Sequence, residues 1–394
     1  MKLQLPASIR TAQYQSIEDI PVYCEGQTHN IWGAFFELQV KTRQGGRKHI
    51  FAGMSSNPEI ARFKCFMEGV ERCAGLSLWA METLAKSVES NRSLAEFFPY
   101  SDEQVKWLEK LRSRQPTMSV AAQDLVDGSI HFIPAEAVFP WWKSFSECVL
   151  PLPETDGVGF AAGFSDRKSE TTDRALCEVL ERDALMLSWK VPNYPKINLD
   201  RTLLHPDLQD EFAIQNLSYR LLDIGSEHGI RVVITLLTDH LYRTTIGVAC
   251  GGSTEQDIQK SALEALMLRG SALLMSQENR QLTHQIMSSE DHVLWGWFNG
   301  KKVWDWYKPT HMMTQRNVNH DPLTACVNLG LGRPLLVDTT PPDFRTEGFY
   351  VCRVIVPHAF RKEYNHAYRY TGGKRLKDLG LMSEQLNHLP HPIG

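Results

Sequence analysis

Apolar and polar side chains alternate along Ala34–Thr42 (AFFELQVKT) and again along Arg47–Met54 (RKHIFAGM), with RQGG between the two runs. Period-two runs on either side of a glycine turn predict a β-hairpin over residues 34 to 54. A helix should follow, because Asn57 is a good N-cap and Pro58 suits the first helical position, where its missing N–H costs nothing. From there EIARFKCFMEGVERCAG keeps helical spacing and sets Ile60, Phe63, Met67 and Val70 on one side. Residues 101 to 130 read as mostly helical and solvent-facing, and DLVDGSIHFIPAEAVF as a turn leading into a strand. Trp141 and Trp142 read as packing residues. A second helix spans about 171 to 190 (TTDRALCEVLERDALMLSWK) and stops before Pro192. HGIRVVITLLTD and RTTIGVACGG read as a strand pair, and Ser253 opens a third helix with Gln256 completing a capping box. VWDWYKPTHMMTQRN has no period, PLLVDTT and FYVCRVIVP are buried-strand runs, and the tail LPHPIG cannot be helical.

Strands and helices in this order predict an α/β fold, and 394 residues with 42% hydrophobic content supply a sizeable core. One large domain over 1–394 is expected, with an N-terminal extension at 1–30 and an extended proline-containing tail at 385–394. A net charge of −4, with Lys and Arg spread along the chain, gives no pull toward nucleic acid or anionic lipid. The opening MKLQLPASIRTAQYQ lacks the apolar centre of a signal peptide, and no apolar run approaches bilayer length. The eight cysteines include no C-x-x-C pair, which favours free thiols and a cytoplasmic location over a zinc site.

The chemistry shows when the helices are aligned on their acids. Gly53 precedes Glu68 by fifteen residues and Gly163 precedes Glu178 by the same fifteen, with Ser55 and Ser165 two residues after each glycine. Both helices then read E-x-x-E-R, so Glu68, Glu71 and Arg72 share one face, as do Glu178, Glu181 and Arg182. A third unit is looser: Gly251 lies thirteen residues before Glu264, and Arg269 follows. One such trio would read as solvated ion pairs worth a few tenths of a kcal/mol. Two at matched offset, in helices otherwise apolar, point to acids lining a cavity. Carboxylates gathered there repel one another or take up protons unless a hard cation such as Mg2+ joins them, leaving coordination positions for phosphates. Other nucleotide signatures are missing: there is no P-loop, and the G-x-G-x-x-A at Gly157, Gly159 and Ala162 follows LPETD, a weak strand.

GMSSNPEIARFKCFMEGVER, GVGFAAGFSDRKSETTDRALCEVLERDALMLSW, GVACGGSTEQDIQKSALEAL and FYVCRVIVPHAF resemble successive blocks of the YcaO-domain family, in order from about residue 50 to the end. The resemblance implies a YcaO-like fold, mixed sheets packed with the E-x-x-E-R helices, which binds ATP without a P-loop. It implies Mg2+ ligation by Glu68, Glu71, Glu178, Glu181 and Glu264, with Arg72, Arg182, Lys64 and Lys260 near the phosphates. Lys64 stands where the family commonly has Ser, and Leu268 where it commonly has Gln. A shortened or shifted loop is expected at Phe164–Ser169, where the family often carries an Asn near the nucleotide.

The implied activity is phosphorylation of a backbone amide oxygen, closing Cys, Ser or Thr of a ribosomally made precursor peptide into a thiazoline or oxazoline. Arg182 would assist phosphoryl transfer. Azoline-forming members end in P-x-P-x-P; here Pro390, Pro392 and Gly394 are similar, and the Gly394 carboxylate would be the base. As a short segment without apolar period, this tail is expected to bury little surface. Thioamide or amidine formation, and a non-catalytic scaffold role, are the alternatives. A leader-peptide-binding partner resembling ubiquitin-activating enzymes is expected to deliver the peptide, with room for a flavin dehydrogenase and a homodimer.

Overall fold

The computed structural model describes residues 18–21, 31–42, 45–75, 78–113, 118–140, 157–277, 285–310 and 321–393. The hairpin forms as the alternation predicts: β2 (Trp32–Thr42) and β3 (Gly45–Ser55) pair antiparallel, and β1 (Glu18–Pro21) adds to β2. Helix α1 (Pro58–Gly75) starts where expected, with the Asn57 side chain accepting the N–H of Glu59 at 2.9 Å. Its core face differs from the sequence reading. Ala61, Cys65, Phe66, Val70 and Ala74 are buried, while Ile60 and Phe63 are exposed. The cause is a close crossing: a Cβ on Gly53 of β3 would lie 2.2 Å from the Ala61 carbonyl oxygen and 2.5 Å from the Cys65 nitrogen. At that distance only small side chains fit between helix and strand.

Among the described residues between 101 and 130, only Asp102–Arg112 is helical. Strand β4 (Ala85–Lys86) precedes it, and β5 (Ser119–Asp124) and β6 (Ile130–Pro134) follow as an antiparallel pair. The small residues of SVAAQD hide the period-two burial in which Val120 and Ala122 face inward. Trp141 and Trp142 lie outside the described residues.

Strand β7 (Phe160–Phe164) leads into α2 (Lys168–Lys190). Strands β8 (Ile197–Asn198), β9 (Ser218–Asp223), β10 (Val232–Thr238) and β11 (Thr244–Cys250) then form one sheet, and β11 leads into α3 (Thr254–Gln277). The α3 capping box is present: Ser253 N–H donates to Gln256 Oε1 at 2.9 Å, and Gln256 N–H to Ser253 Oγ at 3.3 Å. Helix α4 (Ser289–Phe298) is followed by a helical turn at Gly300–Trp306, so VWDW is not irregular; Trp306 Nε1 donates to the Ser188 carbonyl at 2.8 Å. Strands β12 (Leu335–Asp338) and β13 (Phe349–Ile355) complete a sheet in the order β4-β5-β12-β13-β7, with β6 beside β5. Every pairing among the described residues is antiparallel.

Helix α2 is central. Ile234, Leu236, Ile246 and Val248 of one sheet and Tyr350, Cys352 and Val354 of another share a core with its Leu176, Leu180 and Leu187. Val233 and Leu237, on the opposite face of β10, pack with Ile258 and Leu266 of α3. Phe349 and Val351 pack with Ala61, Cys65 and Phe66 of α1. Strands β10 and β13 are thus buried on both faces, which is why their sequences run apolar without alternation. Within α2, Asp183 is wholly buried; its Oδ2 lies 2.7 Å from His228 Nε2, and its Oδ1 accepts the Phe360 N–H at 2.6 Å.

The C-terminal tail is docked, contrary to expectation. Asn387 N–H donates to the Lys190 carbonyl at 2.7 Å, Trp189 Nε1 donates to the Leu389 carbonyl at 3.1 Å, and His391 and Ile393 are buried. His391 stacks on His292 at 3.6 Å with the rings 2° from parallel. His292 Nδ1–H donates to the His391 carbonyl at 2.9 Å, and His391 Nε2–H to the Glu363 carbonyl at 2.8 Å. Residues far away in sequence therefore supply the tail's seat. Gly394 itself lies outside the described residues.

Burial pushes the pKa of His292 down to about 4, and that of His391 well below its ordinary value. Glu363 nearby favours protonation, but its own charge is held by Lys190, and Lys362 and His366 oppose a second cation. The unfolded chain protonates these imidazoles near pH 6.5, whereas the folded chain does not, so their contribution to stability is complete above that value. It is lost as pH falls toward 4, by up to about 1.4 kcal/mol per pH unit for each ring. Urea titrations between pH 7.5 and 4.5, roughly the window bracketing that ordinary value, should show the slope, and His292→Phe should flatten it.

Candidate functional site

Strands β3, β7 and β11 each lie at an edge of their sheet, where outward N–H groups lack a neighbouring strand. Each precedes one of the three acidic helices, and the leading glutamate of that helix reaches back to an amide of the strand or, for Glu178, of the turn residue just before it. Glu68 Oε2 accepts the N–H of Ala52 at 2.9 Å, Glu178 Oε2 that of Gly159 at 2.8 Å, and Glu264 Oε2 that of Val248 at 2.7 Å. These charge-assisted bonds satisfy edge amides and fix where each carboxylate points. The glycine that permits the third close crossing is Gly247, whose added Cβ would lie 2.0 Å from the Ser261 carbonyl oxygen, and not Gly251. The G-x-G motif has a local use of its own, since Gly159 supplies the Glu178 amide and Gly157 leaves room for Arg72.

The three helices bring the five predicted acids into one electrostatic cluster. Glu68 feels Glu264 and Glu178, Glu71 feels Glu178 and Glu68, and Glu181 feels Glu264 and Glu178. Burial, helped by these like charges, raises all three, Glu71 to about 8 and Glu181 to about 7. Arginines hold the group together. Arg72 lies 4.0 Å from Glu68 and 3.7 Å from Glu71; Arg182 lies 3.3 Å from Glu181 and 3.8 Å from Glu264, linking α2 to α3. Lys64 donates to the Met54 carbonyl at 3.0 Å, and partial desolvation and then the like charge of Lys260 lower its pKa. Arg269 is turned away from the cluster; it meets Asp239 at 3.3 Å and lies over the Trp297 ring. Leu268 packs beside the apolar group of Ala272, Val293 and Trp297.

One basic residue escaped the sequence reading. Arg174 of α2 bonds the Ala162 carbonyl at 2.8 Å, and its charge acts on Glu71. The signal was present, because Arg174 stands four residues before Glu178 as Lys64 does before Glu68. The amide partners of the leading glutamates had no such signal.

Among the described residues no group of three His, Cys, Asp or Glu side chains forms a closed metal cage. Mg2+ does not require one, since it takes one or two carboxylates and completes its shell with water and substrate phosphates. Carboxylates anchored through one oxygen and repelling one another fit that need. A separate cleft of about 400 Å³ lies over β5, β12 and β13, lined by Lys168, Thr172, Asp338 and Tyr350, and none of the five acids lines it.

The edge contacts predict a difference between two substitutions of one residue. Glu68→Gln keeps an oxygen for the Ala52 amide, whereas Glu68→Ala leaves that amide unpartnered and should cost about 1–3 kcal/mol more in urea unfolding. Equal stabilities would show that Glu68 has no part in closing the strand edge.

The profile of the family described as YcaO cyclodehydratase, ATP- and Mg2+-binding, matches residues 52–359. The chain belongs to the YcaO family. The matched span holds all three acidic helices, and the expected cofactors, ATP and Mg2+, are those of the family's description. No curated protein matched the YcaO chain by sequence. Its fold resembles a heterocyclase solved in complex with substrate and cofactor, with a TM-score of 0.71 at 16% identity, over 95% of this chain and 54% of that one. It also resembles YcaO from Methanopyrus kandleri bound with AMPPCP and Mg2+, with a TM-score of 0.61 at 18% identity, over 88% and 86% of the two chains. A chain of the E. coli microcin synthetase McbBCD complex matches with a TM-score of 0.58 at 11% identity, over 93% and 95%. This YcaO chain therefore spans about half the length of the first of these relatives and nearly all of the last. No helix among its described residues is long and apolar enough to cross a membrane.

Proposed function

We propose that this YcaO chain is the ATP- and Mg2+-dependent cyclodehydratase subunit of a peptide-modifying complex. The observation that carries the proposal is the cluster of five glutamates from three helices, held by strand amides and two arginines. ATP supplies a phosphoryl group and Mg2+ neutralises charge on its phosphates. Glu68, Glu71, Glu178, Glu181 and Glu264 would hold the metal, and Arg182, between Glu181 and Glu264, would stabilise charge on the transferred group. A Cys, Ser or Thr side chain of the peptide attacks the preceding carbonyl carbon and closes the ring, the resulting oxyanion takes the γ-phosphoryl group of ATP with release of ADP, and inorganic phosphate then leaves as the former amide nitrogen gives up its proton and the C=N bond forms. The Gly394 carboxylate would accept the proton of the attacking group. The docked course of residues 387–393 supports this role by holding the chain end against the last turn of α2.

Delivery of the peptide would fall to a leader-binding partner, as suits a fold that resembles a chain of the McbBCD complex. The test is mass spectrometry of the cognate precursor after incubation with the chain, its partner, ATP and Mg2+. Loss of one water per modified residue, with stoichiometric ADP and phosphate, supports cyclodehydration. Exchange of oxygen for sulfur, with a sulfur donor present, would assign the thioamide reaction instead. An unchanged peptide with no nucleotide turnover would assign the scaffold role.

A further inference from the structure

The cleft over β5, β12 and β13 is lined by none of the five acids and none of the bases beside them. Its floor is the face of the six-stranded sheet next to α2, where Ile130 and Leu336 flank Gln123 in one rung and Ala121 lies two residues along β5. Its wall is the first turn of α2, with Lys168 and Thr172, and Tyr350 of β13 closes the corner. Thr171, Arg174 and Glu178 turn instead to β7 and the turn before it. A Cβ on Gly163 would lie 2.1 Å from Thr171 Oγ1, Arg174 bonds the Ala162 carbonyl, and Glu178 the Gly159 amide. The cleft and the acid cluster are thus on different flanks of α2.

Two charged residues line the cleft, and one of them is free to meet a ligand. Asp338 is engaged through both oxygens: Oδ1 accepts the Thr340 N–H and Oδ2 meets Arg345, each at 3.0 Å. Lys168 forms no ion pair among the described residues, and its ammonium lies over the Tyr350 ring, 5.0 Å from the centroid. Beside this cation the floor is apolar, and Ile130 is left 58% exposed on it. A volume of about 400 Å³ falls within the range of ligand sites, roughly 300–1,000 Å³. Shape and charge together fit a short extended chain that carries one carboxylate beside an apolar side chain. Lys168 precedes Glu178 by ten residues. That is about 15 Å of helix, which an extended peptide covers in about five residues. The C-terminal tail occupies the last turn of α2, and the cleft lies at the first.

We propose that this cleft holds an acidic, apolar stretch of the precursor peptide, away from the residue being modified, with its carboxylate on Lys168 and its apolar side chain against Ala121, Ile130 and Leu336. The inference deepens the proposed function by naming a feature of the substrate, and it rests on that reading. Steady-state modification of the cognate precursor by the chain with its partner tests it. Lys168→Glu opposes the carboxylate and Ala121→Trp fills the floor. Each should raise the KM for precursor about tenfold, with kcat and the KM for ATP unchanged. Lys168→Arg should keep the wild-type KM. Both side chains are exposed, so thermal unfolding should not move. Benzoylphenylalanine in place of Ile130 should cross-link to the precursor and identify the docked stretch. Exchanging the Asp or Glu found there for Lys should raise the KM with wild-type chain and lower it again with Lys168→Glu. An unchanged KM in both variants, or a cross-link to the partner subunit instead of the peptide, overturns the inference while catalysis stands. A matching rise in the KM for ATP overturns it as well and gives the cleft to the nucleotide. If wild-type chain modifies no precursor, the cyclodehydratase reading falls and this inference with it.

Discussion

Glu181→Gln is expected to reduce ATP hydrolysis by at least about 10²-fold while leaving the fold intact. Glu181 is the most buried of the five acids, with 8% of its side chain exposed, and it faces Glu264 and Glu178. Burial raises its pKa to about 7, which means that the protein alone holds this carboxylate in its charged form at a cost. A cation removes that cost, so the charge belongs to the loaded state; Gln keeps the volume and loses the charge. Hydrolysis assays beside thermal denaturation decide the matter. Wild-type turnover would remove Glu181 from the metal site. A variant that fails to fold would instead assign Glu181 to compensating Arg182, 3.3 Å away, because a buried charge stripped of its partner is strongly destabilising.

Deleting Pro390–Gly394 should lower unfolding free energy by about 3–6 kcal/mol and stop peptide modification. Ile393 is 2% exposed, and losing a buried side chain of that size costs about 2–5 kcal/mol. Removal of His391 also leaves His292 without the carbonyl it bonds, adding about 1 kcal/mol. This large structural term would obscure a chemical role, so a second variant is needed. Residues added after Gly394 leave the 387–393 contacts in place and displace only the terminal carboxylate. The extended chain should keep wild-type stability and ATP affinity, yet modify peptide about 10²- to 10⁴-fold more slowly, the usual contribution of a general base. Modification at the wild-type rate by the extended chain would exclude the carboxylate as base.

The hairpin, the three long helices and the two buried strands β10 and β13 were legible because their apolar periods are long and end in clear signals: Asn57 with Pro58, Ser253 with Gln256, Pro192. The acidic cluster was legible because two E-x-x-E-R trios recur at one offset from a glycine. Strand β5 was not, since Ala121 and Ala122 differ in burial but hardly in hydrophobicity. The turn at Gly300–Trp306 was hidden by its glycine start and its closeness to Pro309. The core face of α1 was misplaced because a crossing at Gly53 selects small residues, and a hydrophobic count favours large ones. The tail's burial depends on Trp189 and His292, about 200 and 100 residues earlier, and no local pattern encodes such partners.

The three carboxylates that close strand edges carry a lesson for reading related sequences. Glu68, Glu178 and Glu264 have a folding duty that persists whether or not any nucleotide is ever bound. A chain that had lost its chemistry and survived as a structural subunit would still need an acceptor at those positions to shield its exposed sheet margins. Glu71 and Glu181 bond no strand amide within the described residues; what holds them in the fold is the neighbouring arginine of each trio, Arg72 at 3.7 Å and Arg182 at 3.3 Å. Under the proposed function, the second acid of each E-x-x-E-R is the position expected to be lost first in a chain that no longer turns over nucleotide, since it lacks the amide bond that the first acid makes.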